Sequence, residues 1–262
     1  MSIHNAEARA LYADERKVRI IAVMRSRGRI DANEIAEQLG VTNETIRKDL
    51  IQLERQGLLR RVHGGAVPVQ SLSFEPAVEA RTEFTTEKTR IAKAALAHLP
   101  EQGSVLIDAG STTSQLVEIF PGDRELTVYT NTLPLAVALL NRPMLTVITL
   151  GGRLRTKTLA EVGDWASRAL AEINVDVAFL GTNGISVTRG LTTPDPEEAA
   201  IKRQMLGCAQ RRILLADHSK VGAISGTKHG DLTDIDLLIT DTGLTDTQLT
   251  ELEKTGMSVE RT

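Results

Sequence analysis

From residue 89 to the C-terminus, short aliphatic and β-branched runs alternate with helical stretches, and this alternation constrains the fold more than any other feature. The runs are SVLI (104–107), LTVYT (126–130), LTVITL (145–150), VDVAFLG (175–181), RRILLA (211–216) and DLLIT (236–240). Helical segments fall at 87–99, 113–119, 133–140, 163–172, 195–209 and 245–255. Runs of this kind are buried on both faces, so the pattern predicts an α/β domain with a mostly parallel sheet covered by helices. Ligands of such sheets bind at the carboxyl ends of the strands.

Those ends carry a shared polar chemistry. Asp108 and Gly110-Ser111-Thr112-Thr113 follow the first run, Asn131 the second and Gly151-Gly152-Arg153 the third. Asn183 and Gly184 follow the fourth, and Asp217 and Lys220 the fifth. Glu198 and Lys202 stand one turn apart near the start of helix 195–209. Gly110 would let backbone amides approach an anion, the three hydroxyls could donate to it, and the next helix would point its positive end there. Lys220, with Lys202 or Arg153, could supply full charges, while Asp108, Asn131, Asn183 and Asp217 could hold sugar hydroxyls. Taken singly, these features have plainer readings. GSTT is equally a Ser/Thr helix cap, Glu198 and Lys202 an i,i+4 surface ion pair, and each Asn or Asp a turn residue. Their recurrence at successive strand ends favours a site for a phosphorylated polyol.

The first 67 residues follow a different plan. Val18, Ile21 and Met24/Arg25, with Ile20 and Val23 beside them, mark an amphipathic helix over 14–27 that Gly28 closes. Asp31, with Glu34 three residues on, is a capping-box-like opening for a second helix, whose apolar face is Ile35 and Leu39 and which Gly40 ends. Thr42 caps a third helix that buries Ile46, Leu50 and Leu53 and stops at Gly57. LLRRVHGGAVPV then reads as a hairpin turning at Gly64-Gly65. Together these predict a winged helix-turn-helix. Thr42, Asn43, Glu44, Thr45, Arg47 and Lys48 sit at the N-terminal half of its third helix, the part that enters a major groove in such motifs. Arg60, Arg61 and His63 lie on or beside the wing, within reach of phosphates or the minor groove. Charge agrees: residues 14–65 carry eleven Lys/Arg against eight Asp/Glu, and the rest of the chain 20 against 26. Residues 68–88 lack a clear period and contain Pro68 and Pro76, which predicts a linker partly docked on a second domain at 89–262.

Several classes are disfavoured. One cysteine, Cys208, permits no intramolecular disulfide and reads as a small core residue. The polar N-terminus and the lack of a long apolar run predict a cytoplasmic chain with no membrane partner. The five histidines are scattered without metal-ligand spacing, and no GxxxxGK[ST], GxGxxG or GxSxG occurs, so no metal, nucleotide cofactor or serine nucleophile is expected.

TNETIRKDL (42–50), the spacing Arg16, Ile20, Met24, and RVHGGAV (61–67) resemble the DeoR family of bacterial transcriptional regulators. DAGSTT, TNTLPLA, LGG, GTNG, EEAAIK and DHSK resemble that family's sensor domain, so the resemblance spans nearly the whole chain. It implies a repressor of carbohydrate uptake or catabolism genes that binds double-stranded operator DNA as a homodimer or homotetramer. It implies release by a phosphorylated sugar, such as a fructose phosphate, with no other cofactor. The sensor domain in turn resembles ribose-5-phosphate isomerase, yet GTNGIS (181–186) holds no carboxylate where the isomerase carries one, and aldose–ketose isomerisation needs a positioned base. Glu198 leaves open an isomerase-like enzyme with an accessory DNA-binding head. A DNA-binding architectural protein with an inert second domain is the third class.

Overall fold

The computed structural model describes residues 13–27, 29–55, 58–68, 72 and 75–262. The chain divides into two compact units, 1–76 and 77–262, so the stretch from Ala77, read from sequence as the end of a linker, belongs to the second unit.

In the first unit, helices α1 (Ala13–Arg27), α2 (Ala32–Leu39) and α3 (Asn43–Arg55) accompany strands β1 (Ile30–Asp31), β2 (Leu59–Val62) and β3 (Gly65–Pro68). The strands form an antiparallel sheet in the order β1-β3-β2, which makes the unit a winged helix-turn-helix. Ile20, Met24, Ile35, Ile46, Leu50 and Leu53 meet in its core. Val18, expected on the apolar face of α1, is 46% exposed. The buried stripe runs instead through Arg16, Ile20 and Met24 at steps of four, with Ile21 beside it. Arg16 is buried because α3 supplies its counterion: Nε donates to Asp49 Oδ2 at 2.5 Å and Nη2 to Oδ1 at 3.2 Å.

Local signals fix the helix ends. Asp31 caps α2 by accepting from the amides of Asn33 and Glu34, and Gly40 ends it at φ +65°. Glu34 does not close a capping box; it pairs with Arg27. Thr42 Oγ1 accepts from the Thr45 amide at 3.2 Å and so caps α3. The stops expected at Gly28 and Gly57 lie outside the described residues. The wing turns one residue earlier than expected, at His63-Gly64, because Gly65 is already paired with Val62 on one side and Asp31 on the other. Gly64 takes φ +78°, and a Cβ on Gly65 would lie 1.9 Å from the Ile30 carbonyl oxygen.

The second unit opens with α4 (Thr85–Ala95) and β4 (Gly103–Ile107), followed by α5 (Ser111–Glu118), β5 (Leu126–Thr130), α6 (Leu133–Leu139) and β6 (Leu145–Thr149). A short hairpin, β7 (Arg153–Leu154) and β8 (Glu161–Val162), leads to α7 (Asp164–Ala171) and β9 (Val175–Leu180). Then come β10 (Gly184–Ser186), β11 (Gly190–Thr193), α8 (Pro196–Cys208), β12 (Ala209–Leu215), β13 (Thr227–Gly230), β14 (Leu237–Thr240), α9 (Asp246–Glu253) and β15 (Ser258–Arg261). Seven strands form one sheet, β15-β14-β12-β9-β4-β5-β6, parallel at every pairing. Strands β10, β11 and β13 make a small antiparallel sheet of their own.

The sheet separates two apolar cores, and successive strand residues point to opposite ones. Val105, Ile107, Val177, Phe179, Ile213 and Leu215 enter one; Leu106, Ala178, Leu180 and Leu214 enter the other. The chain reverses its direction of progress across the sheet between β4 and β9, which sets a crevice at their carboxyl ends. No helix among the described residues is long and apolar enough to cross a membrane.

The Arg16–Asp49 pair generates a prediction. Arg16→Met leaves the Asp49 carboxylate without its counterion and costs on the order of 2–3 kcal/mol, while Arg16→Met combined with Asp49→Leu recovers most of the loss. Urea unfolding followed by helical circular dichroism checks both.

Candidate nucleic-acid interface and effector site

The exposed N-terminal half of α3 presents Asn43, Glu44, Arg47 and Lys48, with Thr45 half-buried, because Ile46, Leu50 and Leu53 commit the opposite stripe to the core. Thr42 is spent locally: besides capping, its hydroxyl lies 2.9 Å from that of Thr45. His63 is exposed at the wing turn. Arg61 is also held, its Nε donating to Glu54 Oε2 at 2.6 Å and its amide to Oε1 at 2.8 Å, so this arginine ties the wing to α3. The Arg60 side chain lies outside the described residues.

In the second unit, the residues singled out at the strand ends turn out to hold one another. Asp108, fully buried after β4, accepts from the Gly181 amide at 2.9 Å and from Lys202, whose ammonium also donates to the Gly181 carbonyl at 3.0 Å. Burial pushes the Asp108 carboxyl above its usual range, against the pull of Lys202 and the Gly181 amide. Asn131 accepts from the Ala109 amide at 2.8 Å and so joins the ends of β4 and β5. Asn183 accepts from the Thr193 hydroxyl at 3.0 Å, and Gly184 is packed where a Cβ would meet the Ala223 carbonyl oxygen at 2.4 Å. Glu198 and Lys202 do not form the surface ion pair that their spacing allows. Both are buried, and Glu198 pairs with Arg155 and Thr158 while Lys202 serves Asp108. Arg153 pairs with Glu197, and Gly152 packs against the Val162 carbonyl oxygen.

Gly110 and Ser111 line a cavity of about 400 Å³ beside the first turn of α5. No side chain caps this helix. The Thr113 hydroxyl donates back to the Gly110 carbonyl at 2.9 Å and both Thr112 and Thr113 are buried, so Ser111 is the hydroxyl of GSTT that faces the cavity. Thr132, Thr158, Leu159 and Glu118 form other walls. A further wall is Val78, Glu79, Arg81, Thr82, Thr85 and Lys88, none of which stood out in the sequence.

Lys88 is the most consequential of these. It is buried on the same stripe of α4 as Ile91, Ala92 and Ala95, and its ammonium donates to the Arg81 carbonyl at 2.8 Å. Burial lowers its pKa to about 8; Lys220 and Arg81 push the same way, and Asp217 and Glu83 oppose them. Asp217 itself is fully buried, with Lys220 Nζ 3.7 Å from its Oδ2, an oxygen that accepts no hydrogen bond. A lysine three and seven residues before small or aliphatic positions of a helix was the available signal, hidden because 68–88 read as linker.

Among the described residues no group of three or more His, Cys, Asp or Glu is placed to hold a metal ion. Cys208 is buried and its thiol is pushed up by burial. His218 Nδ1 lies 2.8 Å from Asp241 Oδ1, and its amide donates to Oδ2 at the same distance. Burial would raise the Asp241 carboxyl, but the amides of His218 and Gly243 and the His218 ring hold it below its usual range.

The fold thus defines a two-part protein: a winged helix-turn-helix, and a parallel α/β unit with an open cavity at the first turn of α5. Residues 16–71 match the DeoR-like helix-turn-helix domain and residues 83–242 the DeoR C-terminal sensor domain. The chain is 38% identical to the HTH-type transcriptional regulator GlpR of Haloferax volcanii, over 94% of this chain and 96% of that one. It is 33% identical to a putative aga operon transcriptional repressor of Escherichia coli O157:H7, over 97% and 96%. It is also 33% identical to the HTH-type transcriptional repressor GlcR of Bacillus subtilis, over 95% and 96%. The chain belongs to the DeoR family of transcriptional regulators. Ribose 5-phosphate isomerase A of Neisseria gonorrhoeae is 15% identical over 53% of each chain, with a TM-score of 0.38, a likeness too slight to bear on activity.

The Asp108–Lys202 pair also yields a prediction. Lys202→Met strands a buried carboxylate and Asp108→Asn a buried ammonium, and each lowers the stability of the sensor unit by about 3–5 kcal/mol, whereas Lys202→Met combined with Asp108→Leu recovers most of the loss. Calorimetry on the full chain resolves the difference as a shift of the transition that belongs to the larger unit.

Proposed function

We propose that the protein represses genes of carbohydrate uptake or catabolism and releases its operator when a phosphorylated sugar, such as a fructose phosphate, occupies the cavity at α5. The observation that carries this reading is the uncapped N-terminus of α5 opening into a 400 Å³ cavity beside a buried lysine, within a chain of the DeoR family. That volume suits a small polar ligand. The first-turn amides and helix dipole favour a phosphate, and Lys88 with Arg81 would add full charges. Glu79, Glu118 and the Thr132 and Thr158 side chains would meet the sugar hydroxyls. The names of the aga operon repressor and of GlcR support repression as the mode. Two heads on a homodimer or homotetramer would read paired half-sites.

The reading is regulatory rather than catalytic. No carboxylate lies in 181–186, and Glu198, the base that the sequence left open for an isomerase, is buried in an ion pair with Arg155. The deciding experiment follows a labelled operator by fluorescence anisotropy while fructose, ribose, tagatose and glycerol phosphates are titrated in. Release by one of them is expected. No change in operator affinity with any phosphosugar, or isomerase turnover abolished by Glu198→Gln, would refute the proposal.

Two quantitative outcomes follow for the same assay. Arg47→Ala weakens specific operator binding by about 1–3 kcal/mol through loss of a base contact, while Lys48→Ala weakens all sequences alike and reduces the salt slope by about one. The effector's affinity depends on pH through Lys88. A phosphate favours the protonated amine, so affinity is full below pH 8 and falls as pH rises through Lys88's pKa of about 8. It also falls below about pH 6, where the phosphate itself gains a proton. Lys88→Met removes the alkaline limb, which titration calorimetry across pH 6–9 reads directly.

A further inference from the structure

Residues 77–84 are the first stretch of the second unit, the strap by which the chain arrives from the head. We propose that this strap carries the signal from the effector cavity to the head, with Lys88 as the exchange point: a bound phosphate draws the Lys88 ammonium away from the Arg81 carbonyl and loosens the strap. The inference rests on reading the cavity as an anion site.

Among the ties that hold the strap, three bear on the signal. The Val78 amide donates to the Lys157 carbonyl at 2.8 Å, Lys88 donates to the Arg81 carbonyl at 2.8 Å, and the Phe84 ring stands edge-on to His218 at 4.9 Å and 78°. Two of these ties end in the cavity wall. Lys88 lines the cavity, and Lys157 immediately precedes Thr158 and Leu159, which do too. The strap itself supplies Val78, Glu79, Arg81 and Thr82 to the same wall, so a ligand filling the cavity lies against the segment that leads to the head.

The strap also ends in a strained residue. Phe84 sits at φ +57°, a left-handed conformation that a bulky side chain rarely adopts, and it does so directly before α4. The third tie keeps it there: His218 is fixed by Asp241 and presents its ring to Phe84. A neutral carbonyl is a weaker partner for a buried ammonium than a phosphate is, so occupancy pulls the three-donor ammonium toward the ligand and weakens its hold on the Arg81 carbonyl. Groups on every side of Lys88 take part: Asp217 and Lys220 from the loop after β12, and Arg81 and Glu83 from the strap. Once the Lys88 tie weakens, the strap keeps only the Val78 and Phe84 ties of these three. Ligand then favours the looser state by differential binding, as coupling between two sites requires.

The test uses the full chain with inorganic phosphate as the probe, against chloride at matched ionic strength. Phosphate binding is read by 31P NMR line broadening, and strap motion by hydrogen exchange of the 78–84 amides. Phosphate is expected to bind and to speed strap exchange at least threefold. Phe84→Ala, which drops the ring contact, is expected to bind phosphate within twofold of the parent. Without phosphate it should already exchange at the faster rate and hold operator DNA more weakly. Phosphate bound with strap exchange unchanged would overturn the strap while leaving the site reading intact. So would Phe84→Ala with parental strap exchange. No phosphate binding to the parent protein would overturn the site reading and the strap with it.

Discussion

The sensor unit is organised around one buried ion pair at the point where the sheet changes direction. A parallel sheet whose strand order reverses leaves two neighbouring carboxyl ends, those of β4 and β9, with no connection crossing between them. Asp108 and Lys202 close that gap, each bonded also to the backbone of Gly181. Because Lys202 comes from α8, the pair also fixes that helix against the strand ends. Glu198, one turn earlier on α8, then meets Arg155 and Thr158 and so holds the stretch between β7 and β8 against the cavity. A ligand-like cluster of polar residues has become a frame.

The frame leaves the cavity to one side. Its open space lies at the first turn of α5, between the segment 158–159 and the wall built by residues 78–88. The cation there, Lys88, sits on the buried stripe of α4, where burial lowers its pKa to about 8. On the proposed reading, affinity for a phosphate and control of the strap are two uses of that one ammonium. It is strong enough to hold a carbonyl and ready to leave it for a better acceptor.

Much of the fold was legible in the sequence because it is written in local periods. The three helices of the head, the wing and six of the seven strands of the large sheet follow from spacing, and Asp31, Gly40 and Thr42 cap as their chemistry requires. β15 escaped because SVER carries two charges and reads as a polar tail, and β7, β8 and β10 are too short to show a period. The polar residues at the strand ends were found, but sequence could not say which would face a ligand and which would face one another. That is decided by tertiary partners: Asp108 meets Lys202 across 94 positions, and Glu198 meets Arg155 across 43. Lys88 was missed for the opposite reason. A lysine in a stretch with two prolines nearby resembles a solvated linker until the helix behind it buries it.

The central claim is that the α5 cavity and the operator-binding helix α3 are thermodynamically linked, and reciprocity tests it most directly. Once a releasing phosphosugar is in hand, its affinity is measured by titration calorimetry on the full chain, free and saturated with operator. Linkage demands that operator weaken phosphosugar binding by the same factor by which phosphosugar weakens operator binding. Equal factors, typically about 5–150, are the predicted result; a phosphosugar affinity indifferent to bound operator would contradict the account.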